Sequence, residues 1–110
     1  MINLRTLEFI VEGQTIKKSP SCNFDGLVPG TDGYLQAKFS FSKEWNGTAR
    51  VVGFWTNRQE CPPKILKDGR TCMIPAEALV NKRFELQVLG KREDLVISTN
   101  KIEIVQNGGR

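Results

Sequence analysis

The sequence of 110 residues contains no histidine and only three cysteines. The absence of histidine removes the most frequent general base, the most frequent metal ligand and the base of Ser–His and Cys–His nucleophile pairs. Cys22, Cys61 and Cys72 have no C-x-x-C spacing, which argues against a zinc site and a disulfide framework. A buried free thiol is expected for Cys72, and one disulfide stays open if two of the three meet in space.

Long apolar runs are also missing, because polar and charged residues interrupt every apolar run near the N-terminus. We therefore expect neither a secretory signal nor a membrane span. Apolar residues make up 39% and charged residues 25% of the chain, as in ordinary globular proteins. A chain of this length has room for one core, so we predict a single domain over 1–110 with a flexible tail at 107–110.

Alternation of apolar and polar residues predicts short β-strands. The first two strands flank the turn at Gly13 and predict a hairpin within residues 2–18. Residues 20–33 are rich in proline, glycine and aspartate, so they predict a long loop or a poorly paired edge segment that crosses or caps another element. Such a loosely structured segment is also able to reach a neighbouring molecule.

Two further turns predict antiparallel pairing. Residues 34–56 contain an Asn-Gly turn between two apolar strands, which is typical of a pair of antiparallel strands. Asp68-Gly69 predicts a second hairpin, in which Ile65 lies opposite Cys72 and Pro63 opposite Ile74.

Pro62 and Pro63 place the strand before Asp68 at a sheet edge or after the prolines. A short helical turn is expected near 76–80, and the chain then closes with strands near 84–88, 95–99 and 102–105. The prediction is an all-β, antiparallel two-sheet sandwich of about seven or eight strands, Ig-like or jelly-roll-like. A five-stranded OB-type barrel is the nearest alternative.

Catalytic or metal chemistry would depend on carboxylates in turns. Asp25, Asp32 or Glu44 beside Tyr34 and Trp45 could form a glycosidase pair, and the same carboxylates with Thr31 could hold calcium. Turn carboxylates usually accept bonds from local backbone donors, and no EF-hand spacing is present. We therefore expect no enzyme activity, no metal and no cofactor.

The charge of the chain is moderately basic, with 16 basic and 12 acidic residues. Tyr34, Trp45 and Trp55 together with nearby basic residues could stack on and contact single-stranded nucleic acid. The basic residues are scattered along the sequence, whereas a nucleic-acid footprint gathers its charge on one face. Nucleic acid is therefore not an expected partner.

Surface features suit protein–protein contact, although they are equally compatible with a small domain that packs its own loops. Trp45 follows a strand in a turn and is expected to be an exposed anchor, alongside Tyr34 and the 20–33 loop. The candidate binding or interface residues are Tyr34, Trp45, Asn46, Phe24, Leu27 and Pro29.

Five motifs point to a family. They read FSFSKEWNG at 39–47, CMIPAEAL at 72–79, VLG at 88–90, TNK at 99–101 and QNGG at 106–109. With these motifs the sequence resembles small β-sandwich modules in structural proteins of bacteriophages that infect Gram-positive hosts.

The resemblance covers residues 34–109 and implies a part of the virion without catalytic residues. It implies a capsid-decorating or head-fibre protein, or a tail or baseplate attachment domain, and the short chain favours a decorating subunit. Capsid or tail proteins and further copies of the chain are the expected partners. Two alternatives stay open: an attachment module that stacks Tyr34 and Trp45 on host-surface glycans, and a small inhibitor of a host protein.

Overall fold

Two β-sheets packed face to face build the protein, whose computed structural model describes residues 3–108. Sheet A has the strand order β2-β1-β3-β6, and sheet B has the order β5-β4-β7-β8, with β9 also paired to β7. The predicted all-β sandwich is confirmed, with nine strands within residues 3–108 in place of seven or eight. The strands are β1 Arg5–Glu12, β2 Thr15–Lys18, β3 Leu35–Phe41, β4 Ala49–Thr56, β5 Gln59–Ile65, β6 Thr71–Met73, β7 Arg83–Arg92, β8 Leu95–Ser98 and β9 Ile102–Val105.

The core lies between the sheets because alternate residues of each strand point inward. One continuous apolar cluster joins side chains from both sheets, and most of its members have no more than a few per cent of their surface exposed. The inward side chains of the two central pairs are Leu7, Phe9 and Val11 of β1, Ala37 and Phe39 of β3, Val52 and Phe54 of β4, and Phe84, Leu86 and Val88 of β7.

The first hairpin is confirmed, with β1 and β2 antiparallel and Gly13 in the left-handed conformation at φ 57°. Strand β1 then pairs with β3 in parallel, from Arg5 opposite Leu35 to Val11 opposite Phe41. Parallel neighbours require a long crossover connection. The 20–33 loop supplies it, since it returns the chain from β2 to the start of β3.

The predicted pairing within residues 34–56 is wrong, because β3 belongs to sheet A and β4 to sheet B. A 3₁₀ turn at Lys43–Trp45 separates the two strands and buries the Trp45 side chain. The turn therefore carries the chain from one sheet to the other, where a tight Asn-Gly hairpin would have kept it in the same sheet.

The predicted register around Asp68-Gly69 is also wrong. The tight turn exists, but Ile65 pairs with Val51 of β4 and Cys72 pairs with Ala37 of β3. Both flanking strands lie at sheet edges, so each finds its partner in a different sheet. The turn follows from its local Asp-Gly sequence, whereas the partners of the flanking strands depend on contacts with residues far away in sequence.

Three smaller expectations concern edges and ends. Pro62 and Pro63 lie in β5, an edge strand, and the short helical turn is a 3₁₀ turn at Ala76–Leu79. The expected flexible tail begins at residue 107, but the Gly108 N–H donates to the Leu27 carbonyl at 2.8 Å. Residues 109 and 110 lie outside the described residues. Within residues 3–108, no helix has the length and apolar character needed to cross a membrane.

Candidate functional site

The outer face of sheet B carries apolar side chains that the core does not use. Ile65 lies directly opposite Val51, and Val51 lies directly opposite Leu89. Val96 pairs with Lys91, so it lies diagonal to Leu89 on the same face. We call Ile65, Val51, Leu89 and Val96 the apolar stripe, which crosses strands β5, β4, β7 and β8.

The stripe is open to solvent. Ile65 is 68% exposed, Val96 is 60% exposed and Leu89 is 40% exposed, while Val51 in the centre is partly buried. Large apolar residues scattered singly are normal on a protein surface, whereas a contiguous group is a candidate contact surface.

Trp55 extends this apolar surface along β4. Its ring lies over Gly53, where a Cβ atom would come within 2.7 Å of the ring carbon Cη2. The Lys101 Nζ atom lies 4.1 Å from the ring centroid. The ring therefore packs against the backbone at Gly53 and also contacts a cation, and a cation–π contact is worth about 0.5–1 kcal/mol at exposed sites.

Carboxylates border one end of the stripe. Glu60 lies opposite Trp55, Trp55 opposite Glu85, and Glu85 opposite Glu103 across four neighbouring strands. Arg83 forms an ion pair with Glu103 at 3.5 Å. Lys91 lies at the other end of the face, so the stripe separates an acidic row from a basic residue.

Trp45 is fully buried, so the expectation of an exposed anchor is wrong. Its indole Nε1–H donates to the Gly13 carbonyl at 2.8 Å, and its ring lies 5.2 Å from that of Phe41. Gly90 lies beneath the ring, where a Cβ atom would come within 2.8 Å. A large apolar ring whose N–H has a partner gains more from burial than from exposure, and Trp45 closes one end of the sandwich.

The 20–33 loop packs partly against its own domain, and a contact of its exposed residues with a neighbouring molecule stays a prediction. Leu27 is 2% exposed, and the Phe24 ring packs edge-on against Phe9 at 5.4 Å. The Arg5 guanidinium donates to two loop carbonyls, those of Asn23 and Asp25. Leu27 and Phe24 therefore contribute to folding, and Pro29 is half-buried beside them.

Tyr34 and Asn46 are the exposed members of the predicted site. They lie just before and several residues beyond β3, a strand of seven residues that spans about 23 Å. The structure therefore does not bring the six predicted residues together. A binding role for Tyr34 or Asn46 stays a prediction.

The predicted carboxylates are separated in the same way. Asp25 and Asp32 lie in the loop before β3, whereas Glu44 lies after it. A hydrogen bond from the Ser42 hydroxyl is the main factor that lowers the pKa of Glu44. Residues 3–108 contain no group of three or more Cys, Asp or Glu side chains that could hold a metal ion.

The three cysteines are free. Burial raises the pKa of Cys72 to about 12 and also raises the pKa of Cys61. A thiol with such a pKa stays protonated and unreactive at neutral pH, because the thiolate is the reactive form.

The motif residues Thr99 and Asn100 join distant parts of the chain. The Thr99 hydroxyl accepts the Val88 N–H at 3.1 Å, and the Asn100 side-chain oxygen accepts the Ile16 N–H at 3.0 Å. The Asn100 N–H donates to the Gln14 carbonyl. Asn100 therefore links the end of sheet B to the β2 edge of sheet A, which is a structural task.

No protein-family model matches this sequence, and neither a curated protein nor a solved structure matches it significantly.

Sequence reasoning missed the apolar stripe because its members come from four separate segments. The sequence around three of these residues nevertheless indicates that they face outward. Val51 precedes the inward Val52, Leu89 follows the inward Val88, and Val96 lies between two apolar neighbours. Each of these residues breaks the alternation of apolar and polar residues that is expected of a strand with one solvent-facing side. Pairs of adjacent apolar residues therefore indicate a second apolar face.

Proposed function

We propose that this chain is a structural protein of a bacteriophage particle, most simply a capsid-decorating subunit, that acts by protein–protein assembly and not by catalysis. The observation that carries the assembly role is the apolar stripe on the outer face of sheet B. The five motifs that resemble phage modules support the virion as its location.

The fold does not require the stripe. The core is already closed by the inward side chains of both sheets, and polar residues at the outward positions would leave that core unchanged. Exposed apolar surface opposes solubility, and an apolar centre with a charged border is typical of protein interfaces.

A second copy of the chain is the occupant that we propose for the stripe. Two copies related by a twofold axis that runs across the strands would face each other with their strands antiparallel. The acidic row with Glu60 and Glu85 of each copy would then lie near Lys91 of the other, while the stripes meet in the centre. Self-complementary contacts of this kind are the rule in twofold homodimers.

Glycan attachment has less support. Trp45 is buried and offers no ring face to a sugar, and the Lys101 ammonium lies over the ring of Trp55. Tyr34 alone remains exposed among the aromatic residues expected to stack.

Co-sedimentation tests the function. Purified chain is mixed with particles of the phage that encodes it, prepared without this protein, and centrifuged. We expect the wild-type chain to pellet at a fixed ratio to the major capsid protein. A chain that stays in the supernatant at all ratios would contradict the particle assignment. Pelleting with host cell walls and not with particles would favour the glycan alternative.

A further inference from the structure

A basic groove outside the stripe lies between β3 and the turn at 68–70, next to the buried Trp45. Its volume is about 420 Å³. The residues that line it are Lys38, Phe39, Ser40, Phe41, Asn46, Arg50 and Arg70. Three cations therefore face one groove, two of them, Lys38 and Arg70, on exposed side chains.

Glu8 lies opposite Lys38 on β1, and Asp68 lies in the turn beside Arg70, but neither carboxylate forms an ion pair with a cation of the groove. Among residues 3–108, the ion pairs within 4.0 Å are Lys17–Glu12 and Arg83–Glu103, so no carboxylate pairs with the groove. Asp68 lies in the adjacent turn, but its carboxylate accepts bonds from the Arg70 and Thr71 N–H groups and from the Thr71 hydroxyl.

Arg50 is held in a fixed position. Its guanidinium donates to the Thr48 hydroxyl at 3.0 Å and to the carbonyls of Gly69 and Trp45 at 2.8 and 2.6 Å. The Phe41 ring lies 4.1 Å from its central carbon, and burial lowers its pKa. A guanidinium has five N–H donors, so two remain for an anion. A rigid, partly desolvated cation without a counter-ion favours an anionic ligand.

The groove also contains an unpaired strand edge. Strand β6 pairs with β3 only from Gln36 to Lys38, and the Phe39 N–H donates to the Arg70 carbonyl. The Arg70 N–H bonds to Asp68, so it does not return a bond to the Phe39 carbonyl. Because backbone groups alternate along a strand, the N–H and carbonyl of Phe41 point to the same side of β3 as those of Phe39. On that side no strand within residues 3–108 pairs with Phe41.

We propose that this groove binds an extended, acidic peptide segment of a partner protein by strand addition. The segment continues the edge of β3 beyond β6 through the Phe39 carbonyl and the Phe41 backbone groups. Its carboxylates contact the free N–H groups of Arg50 and the side chains of Arg70 and Lys38. Backbone bonds supply affinity in this mode, and side-chain pockets supply specificity. The groove shares no residue with the apolar stripe, so experiments can disprove peptide binding at the groove without disproving assembly through the stripe, and the reverse.

Amide and arginine Nε NMR spectra of the full chain test the proposal. The probe is an octapeptide of alternating Val and Glu, compared with the same peptide N-methylated at alternate backbone nitrogens and with a Val-Lys peptide. We expect the first peptide to shift the Phe41 amide and the Arg50 Nε–H signals. N-methylation should weaken binding by about tenfold or more, because the charge stays but backbone bonds are lost. The Val-Lys peptide should not bind.

Matched arginine variants locate the site. Arg70→Gln should weaken binding of the Val-Glu peptide by about tenfold, because it removes a charge-assisted contact. The control Arg58→Gln makes the same change of charge in another exposed turn and should leave peptide binding unchanged. Absence of shifts at Phe41 with millimolar peptide would overturn the proposal. Equal binding of the N-methylated peptide, or equal shifts with inorganic phosphate or a sulfated oligosaccharide, would overturn strand addition in favour of a simple anion site.

Discussion

The outer faces of the two sheets differ in what they expose. On sheet A the outward positions alternate cleanly with the core and carry mostly polar residues, among them Glu8 opposite Lys38 and Thr6 opposite Gln36. Ile10, with Lys17 opposite it, and Met73, with Gln36 opposite it, are partly buried apolar exceptions on that face. On sheet B the outward positions carry the apolar stripe and the ring of Trp55.

This difference between the outer faces shows that an apolar residue can occupy a strand position either to build the core or to form an exposed surface. Inward apolar residues are required by the fold on both sheets, whereas outward apolar residues occur as a group on one sheet. Since both sheets pack on the same core, the fold does not account for the excess on sheet B, and we propose that it serves a contact with another molecule. The comparison makes separate predictions for stability and for association.

Trp45→Ala should give the largest effect, because Trp45 lies on the inner side and is fully buried. Loss of the ring should lower the free energy of unfolding by about 3–5 kcal/mol, as for large aromatic residues in cores. The matched variant Tyr34→Ala should change it by no more than about 0.5 kcal/mol, because that side chain is exposed. Urea unfolding of both variants measures the difference, and equal destabilisation would contradict the assignment of Trp45 to the core.

Leu89→Lys should weaken self-association without unfolding the chain. A charge placed in the centre of the stripe should raise the dimer dissociation constant about 30-fold, which corresponds to about 2 kcal/mol. Ile10→Lys places the same change on the outer face of sheet A, between Glu8 and Glu12, and should leave association unchanged. Sedimentation velocity compares them, and equal behaviour of both variants would remove the distinction between the faces.

Gly53→Ala should disturb the surface of sheet B with a smaller effect on stability. The added Cβ atom collides with the Trp55 ring, which is partly exposed and can swing away from the sheet and from Lys101. We expect a red shift of tryptophan fluorescence and a loss of about 1 kcal/mol, at the low end for overpacking. An unchanged emission spectrum would show that the ring does not rest on Gly53.

Asp68→Asn should have the smallest effect, and this effect should depend on pH. Hydrogen bonds from the Thr71 hydroxyl and from the Thr71 and Arg70 amides lower the pKa of Asp68 to about 2. A lowered pKa stabilises the folded state above the unfolded value of about 3.9, and this contribution is lost as the pH falls toward 2. The difference in melting temperature between wild type and variant should therefore shrink between pH 5 and pH 2. A constant difference would indicate that the charge of Asp68 does not matter.

Much of the secondary structure could be predicted, because strand periodicity and turn residues are local. Short-range patterns predict three features of the fold: the hairpin around Gly13, the inward positions of Phe84 and Leu86, and the 3₁₀ turn after Pro75. The sheet partners could not be predicted in this way. The 34–56 segment divides between two sheets because burial of Trp45 redirects the chain, and that burial depends on Gly13 and Gly90, which are distant in sequence.

The candidate site was harder to predict for the same reason. Exposure of an aromatic residue depends on its neighbours in space, so Trp45 in a turn was expected outside and lies inside. The apolar stripe and the basic groove each assemble from several strands, and a single segment shows only one member of each. Adjacent apolar pairs such as Val51-Val52 were the available signal.

The most direct measurement of the central claim is a dilution series followed by methyl NMR of Ile, Leu and Val side chains in the wild-type chain. If the stripe joins two copies, the methyl signals of Ile65, Val51, Leu89 and Val96 should shift with concentration while those of Ile10 stay fixed. Concentration-independent signals across the stripe, or equal shifts at Ile10, would contradict the assignment of the outer face of sheet B as the assembly surface.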